Sequence, residues 1–188
     1  MARKLLGGEE VPPQSIRFAI EPHGKPYVVH PDSAKQPFNV AHTDGLVLCG
    51  IGSSQHTMIG VDVERVGRRT DPGLADRFFS PPEIDYLNRL PAGDARRAAF
   101  LRIWTLKESF IKAIGTGLQT PLADFAFDDI ESDSPTIQML DAKLHSDLSW
   151  RFFSLQPCPG FVAAIAVALD VADAPVSVEL RRFDASVE

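Results

Sequence analysis

From Asp94 to Ile114 apolar residues recur at helical spacing, and Gly115 and Gly117 mark the stop, while strand-like alternation appears earlier and later in the chain. One long helix between strand-rich regions restricts the chain to an α+β fold, with helices packed on antiparallel sheet. Before the helix, IRFAIEPHGKPYV alternates around a turn at Pro22-His23-Gly24. FNVAHTDG then leads into LVLCGIG, and SSQH connects to MIGVDVERV, which predicts a meander of short strands. RRTDPGLADRFFSPPEIDYLNRL contains further helical segments, and Ser80-Pro81-Pro82-Glu83 has the form of a capping box, which favours Glu83 as a structural cap over Glu83 as a ligand. After Pro121 the strand pattern returns in LADFAFDDI, PTIQML, SWRFFSLQ, FVAAIAVAL and VSVELRRF.

Composition excludes several classes of function. With 188 residues, 44% hydrophobic and 23% charged, the chain can bury a core without staples. Cys49 and Cys158 stand far apart in apolar runs, as buried reduced thiols of a cytoplasmic protein would. No apolar run approaches the roughly 20 residues that span a bilayer, and MARKLLGGEEVPP lacks the apolar stretch of a signal peptide, so neither a membrane nor an exported role is expected. A net charge of −6 argues against broad nucleic-acid binding but leaves room for a local basic patch that receives a phosphorylated ligand.

Two segments carry candidate chemistry. Along a strand, side chains alternate between faces, so in MIGVDVERV Ile59, Val61 and Val63 share one side and Asp62 and Glu64 the other, their Cα atoms about 6.5–7 Å apart. Ordinary acids on a solvated face would look the same, but the repulsion between two such carboxylates falls if a cation sits between them, and hard oxygen ligands suit Mg²⁺. On the helix, Phe100, Ile103, Trp104, Phe110, Ile111 and Ile114 fall on one arc that should face the core. Lys107 falls in the middle of that arc, where either its stem snorkels to solvent or its ammonium meets an acceptor. Glu108 and Lys112 lie on the flank with Leu101 and Thr105; they form either a surface ion pair or part of a cleft edge that meets a phosphorylated ligand. His42, in a turn-like segment, reads as a phosphate donor or as a satisfied, partly buried histidine.

Taken in order, HGKPY, FNVAHTDG, IGVDVE, RFFSPPE, WTLKESFIKAIGTGL and PLADFAF resemble the Sfp-type 4′-phosphopantetheinyl transferases from Gly24 to about Phe127, more weakly through the last strands. The resemblance implies transfer of the phosphopantetheine arm from coenzyme A to a serine of an acyl, peptidyl or polyketide carrier protein, with release of 3′,5′-ADP. It implies two similar α+β halves related by a pseudo-twofold with coenzyme A between them: an abbreviated N-terminal half over residues 1–58 and a C-terminal half with the metal motifs over 59–188. By position, Asp62, Glu64 and Glu108 match the family's Mg²⁺ ligands. Lys112 matches the lysine that meets coenzyme A phosphate, Lys25 and His42 match residues of the coenzyme A site, and Lys107 matches the lysine before the third acid, placing it by the same ligand. Lys112 and His42 are then expected to stabilise charge in the reaction, and Glu108 or a metal-bound water to take the serine proton.

Two departures from the family stand out. Where serines flank the histidine in the family, this chain has Ala41 and Thr43, of which only Thr43 keeps a hydroxyl for phosphate. Only 22 residues precede His23, fewer than the family's basic first half supplies, with Arg3 and Lys4 as partial replacements. A monomer is expected, with self-association open if the short first half exposes apolar surface. The alternatives are a non-catalytic module that binds coenzyme A or a carrier protein on the same fold, and a Mg²⁺-dependent phosphohydrolase using the same acids.

Overall fold

A computed structural model describes residues 1–68, 72–171 and 174–183; part of the expected helical run RRTDPGL and the last five residues of the expected C-terminal half lie outside them. A short helix, α1 (Ala2–Gly7), precedes the hairpin β1 (Arg17–Ile20) and β2 (Pro26–His30) and a second hairpin, β3 (Phe38–Thr43) and β4 (Leu46–Ile51). Each has a glycine in its turn with φ near +90°, Gly24 at 92° and Gly45 at 89°, and Asp44-Gly45 is the kind of pair a two-residue hairpin needs. Then follow β5 (His56–Arg65), the helices α2 (Ala75–Phe78), α3 (Pro81–Arg89) and α4 (Asp94–Ile114), and the strands β6 (Phe125–Asp128), β7 (Thr136–Met139), β8 (Ser149–Leu155) and β9 (Phe161–Leu169).

The α+β architecture with antiparallel sheets is present, but the expected continuous meander is not. The two hairpins are separate ribbons, and β5 pairs with β9, giving a three-stranded antiparallel sheet in the order β5-β9-β8. The central strand explains why. In FVAAIAVAL, Ala164 and Ala166 face α4 while Ala163, Ile165, Val167 and Leu169 enter the core on the opposite face, and all are buried. A strand apolar on both sides belongs in the middle of a sheet. Its small side chains toward α4 let the helix lie close.

On that side the core is aromatic, with Phe110 and Phe125 rings 4.7 Å apart and Phe127 and Phe152 rings 4.8 Å apart. The expected arc of α4 is buried at Phe100, Ile103, Phe110 and Ile111, whereas Trp104 and Ile114 are half-buried. Leu101 and Thr105, expected on the flank, are fully buried too, because α4 packs against the sheet on one side and α3 on another. VSVELRRF forms no strand: among the described residues no ladder receives residues 174–183, although Ala174 and Val176 pack on the core under β9. Alternation without a free partner strand does not make a sheet. Among the described residues no helix is long and apolar enough to cross a membrane, and Cys49 and Cys158 are free thiols, both partly rather than fully buried.

Candidate functional site

Gly60 brings the two motif segments together. It sits on the β5 face turned to α4, where a Cβ would stand 2.0 Å from the Ser109 carbonyl oxygen and 2.4 Å from the Ala113 amide nitrogen. Only a glycine permits that contact, and Ser109 and Ala113, four residues apart, are the matching small residues on the helix. Two consequences follow from helix and strand geometry. Asp62 and Glu64 continue the Gly60 face of β5, and Glu108 and Lys112 lie one position around the helix from Ser109 and Ala113. The close approach therefore aims a helical carboxylate and ammonium at two strand carboxylates. Gly60→Ala is expected to cost about 1–3 kcal/mol of stability or more, read from denaturant midpoints, because backbone on both elements must shift.

The three acids feel one another. Asp62 is 6% exposed; its Oδ1 accepts from Lys112 Nζ at 2.6 Å while its Oδ2 is buried without a partner. Burial pushes its carboxyl above the usual range, Lys112 pulls it back, and Glu64 adds repulsion. Glu64, 7% exposed, is paired with Arg68. Glu108 is half-buried, and its carboxyl is raised by burial first, then by Asp62, with Lys112 opposing and Glu64 adding to the rise. Carboxylate oxygens in this number, one of them orphaned, form a hard donor set that fits a divalent cation. Among the described residues no three His, Cys, Asp or Glu groups already stand close enough to hold an ion; Lys112 and Arg68 supply the neutralising charge instead.

Of the three acids, Glu108 borders a cleft of about 610 Å³, lined on one side by Glu108, Ile111, Lys112 and Gly115 and on the other by the hairpin turn His23–Pro26 with Asn39 and Val40, while Asp62 and Glu64 are not among its lining residues. Arg77, Phe78 and residues 120–123 complete it. Of the residues singled out by sequence, Lys25, Glu108 and Lys112 line the cleft, and Asp62 touches it through Lys112. His42 is exposed on β3, two residues beyond Val40 on the same strand face, and half-buried Thr43 points to the other face; neither lines the cleft.

Lys107 requires a correction. It is completely buried, and its ammonium donates to Glu83 Oε2 at 2.8 Å, to the Leu122 carbonyl at 2.7 Å and to the Phe125 carbonyl at 2.6 Å. The partner that an ammonium in the apolar arc demands is thus Glu83, on α3, and not the acids of β5 or a ligand. Lys107 and Glu108 are neighbours in sequence, but consecutive helix positions point about 100° apart. Glu83 also accepts from the Ser80 amide and hydroxyl, as its capping role requires, and its other oxygen accepts from the Phe127 amide.

Sequence reasoning passed over Gly60, Asn39, Arg77 and Phe78. A glycine inside an otherwise apolar strand was the available signal for the first. Asn39, 7% exposed, accepts from the Val61 amide at 3.0 Å and so gives edge strand β5 a polar partner beside the cleft. Arg77 lies over the ring of its chain neighbour Phe78, 5.6 Å from its centroid, and both line the cleft.

A profile described as "4'-phosphopantetheinyl transferase superfamily" matches residues 58–167, the stretch that carries β5, α4 and β9. The chain is 34% identical over 171 residues to the 4'-phosphopantetheinyl transferase HetI of Nostoc sp. (strain PCC 7120), covering 88% of this chain and 67% of that protein. It is 36% identical over 121 residues to the 4'-phosphopantetheinyl transferase gsp of Aneurinibacillus migulanus, covering 63% and 46% respectively. The chain thus spans between about half and two thirds of the length of these relatives. Among solved structures it is similar to a holo-(acyl-carrier-protein) synthase from Bacillus anthracis in complex with CoA (3',5'-ADP), with 18% identity and a TM-score of 0.47 over 62% of this chain and 98% of that one.

Proposed function

This chain belongs to the 4′-phosphopantetheinyl transferase superfamily, and from that premise we propose that it transfers the 4′-phosphopantetheine arm of coenzyme A to a serine of an acyl, peptidyl or polyketide carrier protein and releases 3′,5′-ADP. The observation that carries this reading is that Glu108 and Lys112, which line one cleft, stand on a helix beside Asp62 and Glu64 of a strand, with Lys112 bonded to Asp62 and Glu108 raised by both strand acids. The reaction forms a bond between the serine oxygen and phosphorus and breaks the pyrophosphate bridge. The enzyme's task is to position the pyrophosphate, balance charge on its oxygens and accept a proton.

Each residue has a part. Lys112 lies between Asp62 and the cleft, 31% exposed at its side chain, and can exchange its carboxylate bond for a phosphate oxygen as a mobile point charge. Asp62, Glu64 and Glu108 are the residues that would hold Mg²⁺, which when bound polarises phosphoryl oxygens as a Lewis acid. Glu108 or a metal-bound water would receive the serine proton, and with no cation bound burial and two neighbouring acids hold the Glu108 carboxyl above the usual range. His42 is assigned to the rim, on the strand face that Val40 brings to the cleft. In this reading the pseudo-twofold places residues 1–58, with their two hairpins, as the abbreviated first half and residues 59–188 as the second. Free Cys49 and Cys158 accord with a reducing cytoplasm.

Intact-mass measurement of a carrier domain incubated with the protein, coenzyme A and Mg²⁺ tests the proposal. The carrier should gain the mass of the arm. Bound coenzyme A with no gain on any of several carriers would instead identify a binding module, and release of 3′,5′-ADP without a carrier would identify a hydrolase.

A further inference from the structure

Among the described residues the ribbon β1–β2 has no ladder to any other strand, yet its turn supplies one wall of the cleft. Something other than sheet hydrogen bonding must hold that wall in register with α4. The turn itself is closed by its own backbone, with the Glu21 amide donating to the Lys25 carbonyl at 2.9 Å and the Gly24 amide to the Glu21 carbonyl at 2.9 Å.

Lys25 reaches out of the turn. Its Nζ donates to the Ala113 carbonyl at 2.5 Å and to the Ile59 carbonyl at 3.2 Å. Ala113 belongs to the last turn of α4, where carbonyls lack an acceptor's usual helical partner and the helix dipole favours a cation. Ile59 precedes Gly60, and Ala113 is the helix residue that Gly60 touches. The ammonium therefore sits at the junction where β5 and α4 approach most closely and joins a third element, the hairpin turn, to both. Gly115, left-handed at φ 74°, removes the side chain that would collide there: a Cβ would stand 2.8 Å from Glu21 Oε2 and 3.3 Å from Lys25 Cδ.

We propose that Lys25 is a positioning residue that clamps the Glu21–Lys25 turn to the α4–β5 junction and so fixes the cleft's width, and that its charge is committed to backbone carbonyls instead of to the phosphates of the ligand. Two of the three ammonium protons are already donated to carbonyls. This differs from the role that resemblance alone implies for Lys25, in which the lysine contacts coenzyme A. It rests on the proposed function only in taking coenzyme A as the probe.

Lys25→Met keeps an apolar stem of similar length and removes the donor. Two measurements on the full chain decide the matter. In the ligand-free protein, hydrogen exchange at the Glu21, Gly24 and Gly115 amides should rise about tenfold or more, the loss of one charge-assisted hydrogen bond, while exchange in β9 stays as in the wild type. Coenzyme A affinity, measured by calorimetry over a range of salt concentrations, should weaken by about the same factor with the salt dependence of the wild type retained. Lys25→Arg, which can also donate to two carbonyls, should recover part of both. Unchanged exchange in the turn overturns the clamp whether or not coenzyme A binds. A flatter salt dependence in Lys25→Met shows that the ammonium faces phosphate, and this too overturns the proposal. Failure of the wild type to bind coenzyme A would count against the proposed function and leave the exchange result to judge the clamp.

Discussion

Glu108→Gln is expected to lower transfer to a carrier protein by at least about a hundredfold while the ligand-free protein melts at the same temperature or higher. The two halves of this expectation have one cause. Glu108 is surrounded by charge of its own sign: burial, Asp62 and Glu64 all work against its ionised form, and only Lys112 supports it. The amide has nearly the same shape and no charge, so the fold loses a repulsion and keeps its packing. The same amide is a weak ligand for a divalent cation and a poor proton acceptor, so chemistry loses what the fold gains. Thermal unfolding in the absence of metal, beside the rate of carrier loading, reads both effects. A drop in melting temperature comparable to the loss of activity would show that Glu108 supports the fold and would remove it from the chemistry.

Lys107→Met should have the opposite signature, with a loss of stability of about 3–5 kcal/mol measured by denaturant unfolding. Both partners of the Lys107–Glu83 pair are fully buried, so deleting the lysine leaves a carboxylate without a cation in an apolar environment. The loss is a large share of the roughly 5–15 kcal/mol that holds a typical domain folded. Burial pushes the lysine's pKa down to about 8 despite Glu83, which shows how strongly the surroundings penalise charge there. The Phe125 ring adds a favourable face 4.2 Å from the ammonium. Adding Glu83→Gln to Lys107→Met should restore much of the loss, since the charge that lacked a partner is gone. If the double variant is no more stable than the single one, the carbonyls of Leu122 and Phe125 are the partners that matter, and the ion pair is secondary.

These two neighbours also show what could be read from the sequence. The bounds of α4 followed from local chemistry, because the apolar spacing ends at Gly115, whose φ of 74° closes the helix. Asp62 and Glu64 on one strand face needed only the twofold alternation of a strand, and burial of Val61 and Val63 on the other face agrees with it. Lys107 was harder. Its need for an acceptor was legible, but its acceptor lies on α3, 24 positions earlier, in a residue whose capping role already explained it. The pairing of β5 with β9 depends on two faces of FVAAIAVAL being covered by elements about 50 to 120 residues away. Nothing within the strand itself names those partners. VSVELRRF misleads for the same reason: alternation records a preference, and a ladder requires a neighbour with a free edge.

The β5–β9 ladder also sets an order in time. Asp62, Glu64, Glu108 and Lys112 are all in place in the chain by residue 112, yet the strand that backs the two strand acids does not begin until Phe161. During synthesis, a chain stopped short of residue 161 holds all four side chains but lacks the ladder that flattens β5 against α4, so the acids have no floor to stand on. Long-range pairing of this kind closes late in folding. A chain assembled this way acquires the geometry of its acids only once β9 has been made, and under the proposed function a nascent chain that stops before β9 is expected to stay inert toward coenzyme A.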